Sequence, residues 1–381
     1  MFFRTSRTAQ TTRQPARQTG RQTGRQTGRQ LARRLSLENL ERREVMAGSV
    51  LASVVSGELR ITGDDAANGV VVSRVNDSTI EVRGITVNSV DTRINGTANG
   101  RVTFNNVTRN VVVDMRGGND QVRFHGTDAQ RLLKLPGAVK IDTQGGNDEI
   151  FLQHVKVAGD LSINSGSGSD TLAGAGLQVG ASLFVREATN SFVKGDWDSV
   201  NLYDNSVIGN QLNVKLNAGD DSLKVSKTTA QSFWIEGNAG NDRFVFDGVT
   251  TRSDLIVKPG KGSDTTSVFN SNIGDDLFIE DVVDALATDQ NSMTIQDTTI
   301  TDGVYVTGGV GVDMLAVRRS KINNLDVKLA AGKDSLNIIG TTVRNSVKLD
   351  GGTGADTINR AKNNKTLSAG GFETATSYDW L

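Results

Sequence analysis

The chain has 381 residues and a formal net charge of −1, and 36% of its residues are hydrophobic. It contains no cysteine, which excludes disulfides, thiol nucleophiles and cysteine-ligated metal centres. Two histidines are too few for a multi-histidine metal centre. The 42 glycines, three prolines and 5% aromatic residues favour short strands and tight turns over helices.

The chain begins with an arginine-rich tail. Residues 1–44 contain eleven arginines, no lysine and three glutamates, a net charge of +8 that leaves −9 for the remainder. Within it, residues 17–30 repeat RQTG without one apolar side chain, so burial could not offset the entropy lost on ordering. We predict that residues 1–34 are disordered. Nucleic acid is not expected as a partner, because no aromatic residues are interleaved for base stacking and the remainder is acidic.

Residues 35–47 read LSLENLERREVMA, and the spacing of their leucines and glutamates predicts a short amphipathic helix. The string resembles the N-terminal sorting segment, roughly LExLExRxLLA, of extracellular repeat proteins of planctomycete bacteria, although Glu44 and Met46 depart from that pattern. The resemblance implies export or envelope attachment. No apolar run approaches the roughly 20 residues of a transmembrane span, so none is expected.

Residues 48–110 contain three strand-like runs, ELRIT, GVVVS and TIEVR, whose rhythm differs from that of the following sequence. An uncovered end of a sheet is a template for aggregation. We therefore predict that this segment is an N-terminal β cap, or a set of first irregular coils, partly antiparallel.

Residues 111–360 repeat an aspartate after a glycine-rich turn. The spacing is 21 to 28 residues and most often 22, and Asn291 fills one position; the aspartates are Asp120, Asp148, Asp170, Asp198, Asp221, Asp242, Asp264, Asp313, Asp334 and Asp356. Apolar residues lie two and four places after most of these aspartates, as at Leu223 and Val225, and nine and seven places before most of them. Alternation of this kind indicates half-buried strands.

One such unit cannot bury its own apolar residues, whereas units stacked about 4.8 Å apart form a continuous core. The predicted fold is therefore all-β, a parallel β-helix or solenoid of about ten coils of about 22 residues spanning 111–360. A β-sandwich would not keep one register over this length. Residues 361–381 lose the pattern and are predicted to be a C-terminal tail or cap.

The repeated aspartates have two interpretations. In the structural one, glycine permits positive φ and aspartate accepts backbone N–H groups. In the other, GGTGADTIN at residues 351–359 resembles the GGxGxDxUx calcium nonapeptide of the RTX family, which implies bound Ca²⁺. One glycine turn per coil excludes a dense calcium roll, so weak calcium sites are predicted at Asp220, Asp221 and Asp356.

Outward positions on successive coils place Trp234, Ile256, Phe278 and Tyr305 in one column. This predicts a binding stripe that stacks on sugar rings or on a partner protein. The alternative, which we favour, is that residues 280–290 fold over the stripe as a short helix. His125 and His154 fall one coil apart and are interpreted as a polar ladder, not a metal site.

The opening ELRITGDDAANGVVVSR and the GGND turns resemble extracellular β-strand repeat proteins that carry the same sorting segment. The resemblance implies a scaffold, and the outward columns show no pair of carboxylates suited to glycoside hydrolysis. We expect a non-enzymatic extracellular or cell-envelope β-helix with a structural or adhesive role, no catalytic residue and no firm cofactor, and carbohydrate or an envelope protein as partner. One alternative is a polysaccharide lyase or hydrolase whose groove is built by residues 130–137, 186–197 and 280–290. Another is a calcium-stabilised RTX-like module.

Overall fold

In the computed structural model the chain is described at residues 48–186, 197–281, 288–361, 368–371 and 374–378. Every regular element within these ranges is a strand. The predicted disordered tail, 1–34, and the sorting segment, 35–47, lie outside the described residues.

Strands up to residue 135 are β1 (Ser49–Val55), β2 (Glu58–Thr62), β3 (Gly69–Arg74), β4 (Ile80–Gly84), β5 (Thr86–Val87), β6 (Val90–Asp91), β7 (Arg93–Ile94), β8 (Thr97–Ala98), β9 (Arg101–Phe104), β10 (Val111–Asp114), β11 (Gln121–His125) and β12 (Leu133–Leu135). Strands from there to residue 236 are β13 (Val139–Asp142), β14 (Glu149–Gln153), β15 (Val155–Val157), β16 (Leu161–Asn164), β17 (Thr171–Ala175), β18 (Gln178–Val179), β19 (Leu183–Arg186), β20 (Ser199–Tyr203), β21 (Val207–Ile208), β22 (Gln211–Lys215), β23 (Ser222–Ser226), β24 (Thr229–Ala230) and β25 (Ser232–Glu236).

The remaining strands are β26 (Arg243–Asp247), β27 (Thr250–Thr251), β28 (Leu255–Lys258), β29 (Thr265–Phe269), β30 (Asn272–Ile273), β31 (Leu277–Glu280), β32 (Gln290–Gln296), β33 (Thr299–Ile300), β34 (Gly303–Thr307), β35 (Val312–Arg318), β36 (Lys321–Lys328), β37 (Ala331–Gly332), β38 (Ser335–Ile339), β39 (Thr342–Asp350), β40 (Thr353–Gly354), β41 (Thr357–Ala361), β42 (Ser368–Gly370) and β43 (Thr374–Tyr378).

Each coil contributes strands to three parallel ladders. Face 1 follows the repeated aspartate and consists of β3, β11, β14, β17, β20, β23, β26, β29, β32, β35, β38, β41 and β43. Face 2 is formed by the short strands β12, β15, β18, β21, β24, β27, β30 and β33. Face 3 leads into the next aspartate turn and consists of β2, β10, β13, β16, β19, β22, β25, β28, β31 and β34, then β36, β39 and β42.

Like positions on successive coils lie opposite one another. Leu223 faces Phe244 on the next coil, and the same interior column continues to Leu336. All three side chains are fully buried, in one core cluster that runs from Val50 to Ile358. The prediction of an all-β parallel β-helix is confirmed.

The turns before face 1 need glycine because the coils approach so closely. Gly240 has φ of +143°, and a Cβ atom there would lie 1.6 Å from the carbonyl oxygen of Gly219 on the preceding coil. A side chain at this position is therefore excluded by both sterics and backbone conformation.

The β-helix begins before residue 111. Strands β2 and β3 pair in parallel with β10 and β11, so residues 58–74 already form a coil. Antiparallel strands extend its end, since β1 pairs with β2, β4 with β3, and β9 with β4. The segment 48–110 thus combines a regular coil with an antiparallel extension. The sequence pattern missed this coil because Asn68, not aspartate, occupies the repeated position, 52 residues before Asp120.

The β-helix also continues beyond residue 360, where its end was predicted. Strand β42 pairs in parallel with β39, and β43 pairs in parallel with β41. Their sequences, SAG and TATSY, lack the pairs of large apolar residues that mark the other coils. Hydrogen bonding to the preceding coil therefore defines these strands where hydrophobic periodicity does not.

Candidate functional site

The predicted stripe occupies one outward column of face 3. Trp234, Ile256, Phe278 and Tyr305 are register partners on successive strands, β25, β28, β31 and β34. All four side chains are partly exposed. The rings of Phe278 and Tyr305 stack with their centroids 5.0 Å apart and their planes at 16°. The column is therefore a continuous ladder of apolar side chains held by backbone hydrogen bonds.

Charged side chains fix the first ring of this stripe. The Nζ atom of Lys258 lies 5.0 Å from the ring centroid of Trp234, within cation–π range. Lys258 also pairs with Glu280 at 3.0 Å, and the Trp234 indole N–H donates to Glu236. These contacts hold the indole against the sheet.

The outward column that carries the stripe contains an aromatic residue on an earlier coil as well. Phe184 lies in the same column two coils before Trp234, opposite Ser162 and Asn213. Sequence spacing missed it because its coil is longer than 22 residues. Most of the segment expected to fold over the stripe, residues 280–290, lies outside the described residues.

An acidic cluster lies beside the stripe, at the turn that enters face 3. One carboxylate oxygen each from Asp254, Asp275 and Asp276 lie within 4.8 Å of one another. Burial, and then the charges of Asp275, Asp302 and Asp254, raise the pKa of Asp276. Burial and the charges of Asp276 and Asp302 likewise raise the pKa of Tyr305. The aromatic end of the stripe therefore has a strongly acidic edge.

The repeated aspartates form a buried ladder along the turn before face 1. Except at Asp313, the Oδ1 atom of each accepts a hydrogen bond from the backbone N–H of the residue at the same position on the preceding coil. Ten such bonds measure 2.6–2.9 Å and join Asn68, Asp120, Asp148, Asp170, Asp198, Asp221, Asp242, Asp264 and Asn291, and then Asp313, Asp334 and Asp356. Between the two runs, the Asn291 amide donates to Oδ1 of Asp313 at 3.1 Å.

Burial opposes the ionisation of Asp120, Asp170, Asp242, Asp264 and Asp334. Burial, together with the charges of neighbouring aspartates, raises the pKa of Asp120, Asp170 and Asp242 to about 8. Burial raises the pKa of Asp334 to about 7 and that of Asp264 to about 6. The Oδ2 atoms of Asp242, Asp264 and Asp334 accept no hydrogen bond from any described residue.

The residues predicted to bind calcium occupy different environments. Asp221 and Asp356 are ladder members, buried to 2% and 0% exposure. Asp220 is exposed and accepts hydrogen bonds from the N–H and side-chain amide of Asn241, at 2.8 and 3.1 Å. Asp356 lies six coils beyond Asp221, a separation of about 29 Å at the usual strand spacing. The carboxylates that the structure does bring together are those of Asp254, Asp275 and Asp276. The sequence did not predict these residues as a metal site.

The two histidines do not form a ladder. His125 lies opposite Gln153, whereas His154 has φ of +52° in the following turn and its Nε2 lies 3.7 Å from Asp204. Of the segments required by the enzyme alternative, residues 130–137 form a regular part of a coil through β12, and much of 186–197 and 280–290 lies outside the described residues.

No segment of the described chain forms an apolar helix of membrane-spanning length. Comparison with known proteins gave no matching family model, no matching curated protein and no matching solved structure.

Proposed function

We propose that this protein is a non-enzymatic, extracellular or cell-envelope β-helix that serves as a rigid adhesive scaffold, with the stripe as its binding face. The observation that carries the proposal is the stacked pair of Phe278 and Tyr305, partly exposed and in register with Ile256 and Trp234. A rigid ladder of this kind lowers the entropic cost of ordering the rings on binding.

Neutral carbohydrate is the partner class that fits this face best. Aromatic rings stack against the C–H faces of sugars, and the carboxylates of Asp254, Asp275 and Asp276 can accept hydrogen bonds from sugar hydroxyls. The repeat of the stripe, one side chain per coil, would suit a chain of sugar rings lying along the long axis.

The adhesive role can be tested by co-sedimentation with insoluble cell-wall polysaccharide. Phe278→Ser and Tyr305→Ser are expected to weaken binding by about tenfold each, since each removes a stacking contact. Tyr203→Ser is the matched control, because Tyr203 is 41% exposed on face 1, away from the stripe. Equal binding by all three variants and the unmodified chain would refute the stripe as the adhesive face.

The location can be tested separately with a tagged chain expressed intact or without residues 1–47. The resemblance of residues 35–47 to a sorting segment supports export of the intact chain. We expect the intact chain in the envelope or medium and the shortened chain in the cytoplasm. Cytoplasmic retention of both would contradict the proposed location.

A further inference from the structure

A pocket of about 450 Å³ lies on the outer side of face 1 near its N-terminal end. It is distinct from the stripe, which lies on face 3. Its lining includes two arginines, Arg83 and Arg123, and contains no carboxylate.

Strand register determines the spacing of the arginines. Arg83 on β4 lies opposite Val71 on β3, and Val71 lies opposite Arg123 on β11. Two strand spacings therefore separate the arginine backbones, about 10 Å. Val71 is 2% exposed and forms the floor between them. Phe151, opposite Arg123 on β14, forms one wall.

This row carries three arginines and, among the described residues, one carboxylate within ion-pair distance of any of them. Arg101 on β9 lies directly opposite Arg83, and like charges in opposed positions of a sheet are destabilising. Glu81 is within ion-pair distance of Arg101 only, at 3.9 Å. Among the described residues neither Arg83 nor Arg123 forms an ion pair, although the chain beyond residue 44 carries a net charge of −9.

Arg123 is oriented before any ligand arrives. Its Cζ atom lies 5.4 Å from the ring centroid of Phe151, and its Nη2 donates to Oε1 of Gln121 at 3.2 Å. Its remaining N–H groups have no described acceptor. A guanidinium fixed in this way presents a planar fork that matches the oxygens of a carboxylate or sulfate.

We propose that this pocket binds an oxyanion carried on a sugar ring, a carboxylate or sulfate group held between Arg83 and Arg123, with the ring against Phe151 and Ile85. The volume suits a ligand of one or two rings. Gln153, also in the lining, supplies an amide for the ring hydroxyls. The proposal does not depend on the function proposed for the stripe.

Isothermal titration calorimetry with four probes tests the ligand class, on the full chain carrying Phe278→Ser and Tyr305→Ser so that the stripe does not contribute to the measured binding. The probes are an oligouronate, a sulfated oligosaccharide, a neutral oligosaccharide of equal length and inorganic sulfate. We expect one or both acidic oligosaccharides to bind, and the neutral one to bind at least about tenfold more weakly. The stronger acidic probe identifies the oxyanion. Absence of binding by both acidic probes would overturn the proposal. An affinity for inorganic sulfate equal to that for the acidic oligosaccharide would overturn the inference that the ligand carries a sugar ring.

Substitutions locate the site. Arg83→Gln and Arg123→Gln should each weaken binding of the acidic probe by about tenfold or more, and Arg123→Lys should recover part of the loss. Arg243→Gln is the control, because Arg243 is an exposed arginine on β26 of the same face, outside the pocket. Thermal melting verifies that each variant is folded. Unchanged affinity in both glutamine variants, or an equal loss in Arg243→Gln, would overturn the assignment.

Discussion

The side chain of Asp242 accepts a hydrogen bond from the backbone N–H of Asp221, one coil earlier, at 2.9 Å. The same contact recurs along the turn before face 1, so a column of buried aspartates, with Asn68 and Asn291 at two positions, runs through the protein with one member per coil. Its members are buried, and this combination of burial and repetition has measurable consequences.

Stability should fall as the pH rises from about 4 to about 8. The carboxyl pKa of Asp120, Asp170 and Asp242 is about 8 in the folded chain, against an ordinary value of 3.8. Between these values the folded state binds more protons than the unfolded state, so unfolding becomes easier as pH increases. We expect a loss on the order of a few kcal/mol across this range. Thermal melting in matched buffers at constant ionic strength measures it; a midpoint that rises with pH would contradict the prediction.

Asp242→Asn should reduce that pH dependence. The amide keeps the oxygen that accepts the N–H of Asp221, as Asn291 does for Asp264, and it cannot ionise. We expect this variant to be at least as stable as the unmodified chain at pH 8.5. Asp242→Ala should be less stable by about 1–3 kcal/mol, because it leaves a buried N–H without an acceptor.

Asp220→Asn provides the control for these variants, since Asp220 is exposed and lies next to the ladder in sequence. It should change the slope of melting temperature against pH less than Asp242→Asn does, because the charge of Asp220 adds less than burial to the raised pKa of Asp242 and Asp264. A slope that changes equally in Asp220→Asn and Asp242→Asn would show that surface charge, not the buried column, controls the response.

Interior and outward aromatic residues on neighbouring faces should differ strongly in their effect on stability. Phe244 is fully buried, and Phe244→Ala should cost about 3–5 kcal/mol through lost burial and a cavity. Phe278 is partly exposed on the stripe, and Phe278→Ala should cost about 1 kcal/mol. Denaturant unfolding of both variants checks the difference. Similar losses would mean that Phe278 is covered in solution.

Chelation of calcium should leave the melting temperature unchanged. The Oδ1 atoms of Asp221 and Asp356 already accept backbone N–H groups, and Asp220 accepts two hydrogen bonds from Asn241. Calcium requires six to eight oxygen ligands, which these residues do not assemble together. The measurement is thermal melting with EDTA and with calcium. If a structural site bound calcium, calcium at about 100 times the dissociation constant of that site would raise the free energy of unfolding by about 2.7 kcal/mol over its value in EDTA. A clear fall in the midpoint with EDTA would restore the calcium interpretation.

The regular coils could be predicted from sequence because their inner residues repeat with little variation. Leu223 and Phe244 lie in the same interior column, as expected. Even there, Thr266 interrupts the column between Phe244 and Met293 without disturbing the register. Periodicity alone was sufficient because each inner pair recurs at a fixed offset from the aspartate.

The ends of the β-helix and the pocket between Arg83 and Arg123 could not be predicted in this way. The row of Arg83, Val71 and Arg123 depends on β4 folding back antiparallel on β3, and the 52-residue step from Asn68 to Asp120 contains no repeat that reveals this. Asp254 and Asp276 lie in turns whose spacing varies from coil to coil. Contacts that irregular segments make across coils therefore could not be predicted from the spacing of residues in the sequence.

The buried column also has a direction. Each coil supplies the acceptor oxygen for the coil before it, whereas the exposed residues beside it, such as Asp220, accept from the coil after them and face water. A coil thus acquires its complete set of buried hydrogen bonds only when its successor is in place. For a chain synthesised from its N-terminus, every newly formed layer stays unfinished until the next one arrives, so loss of the final layers is expected to be more damaging than an equal loss at the start.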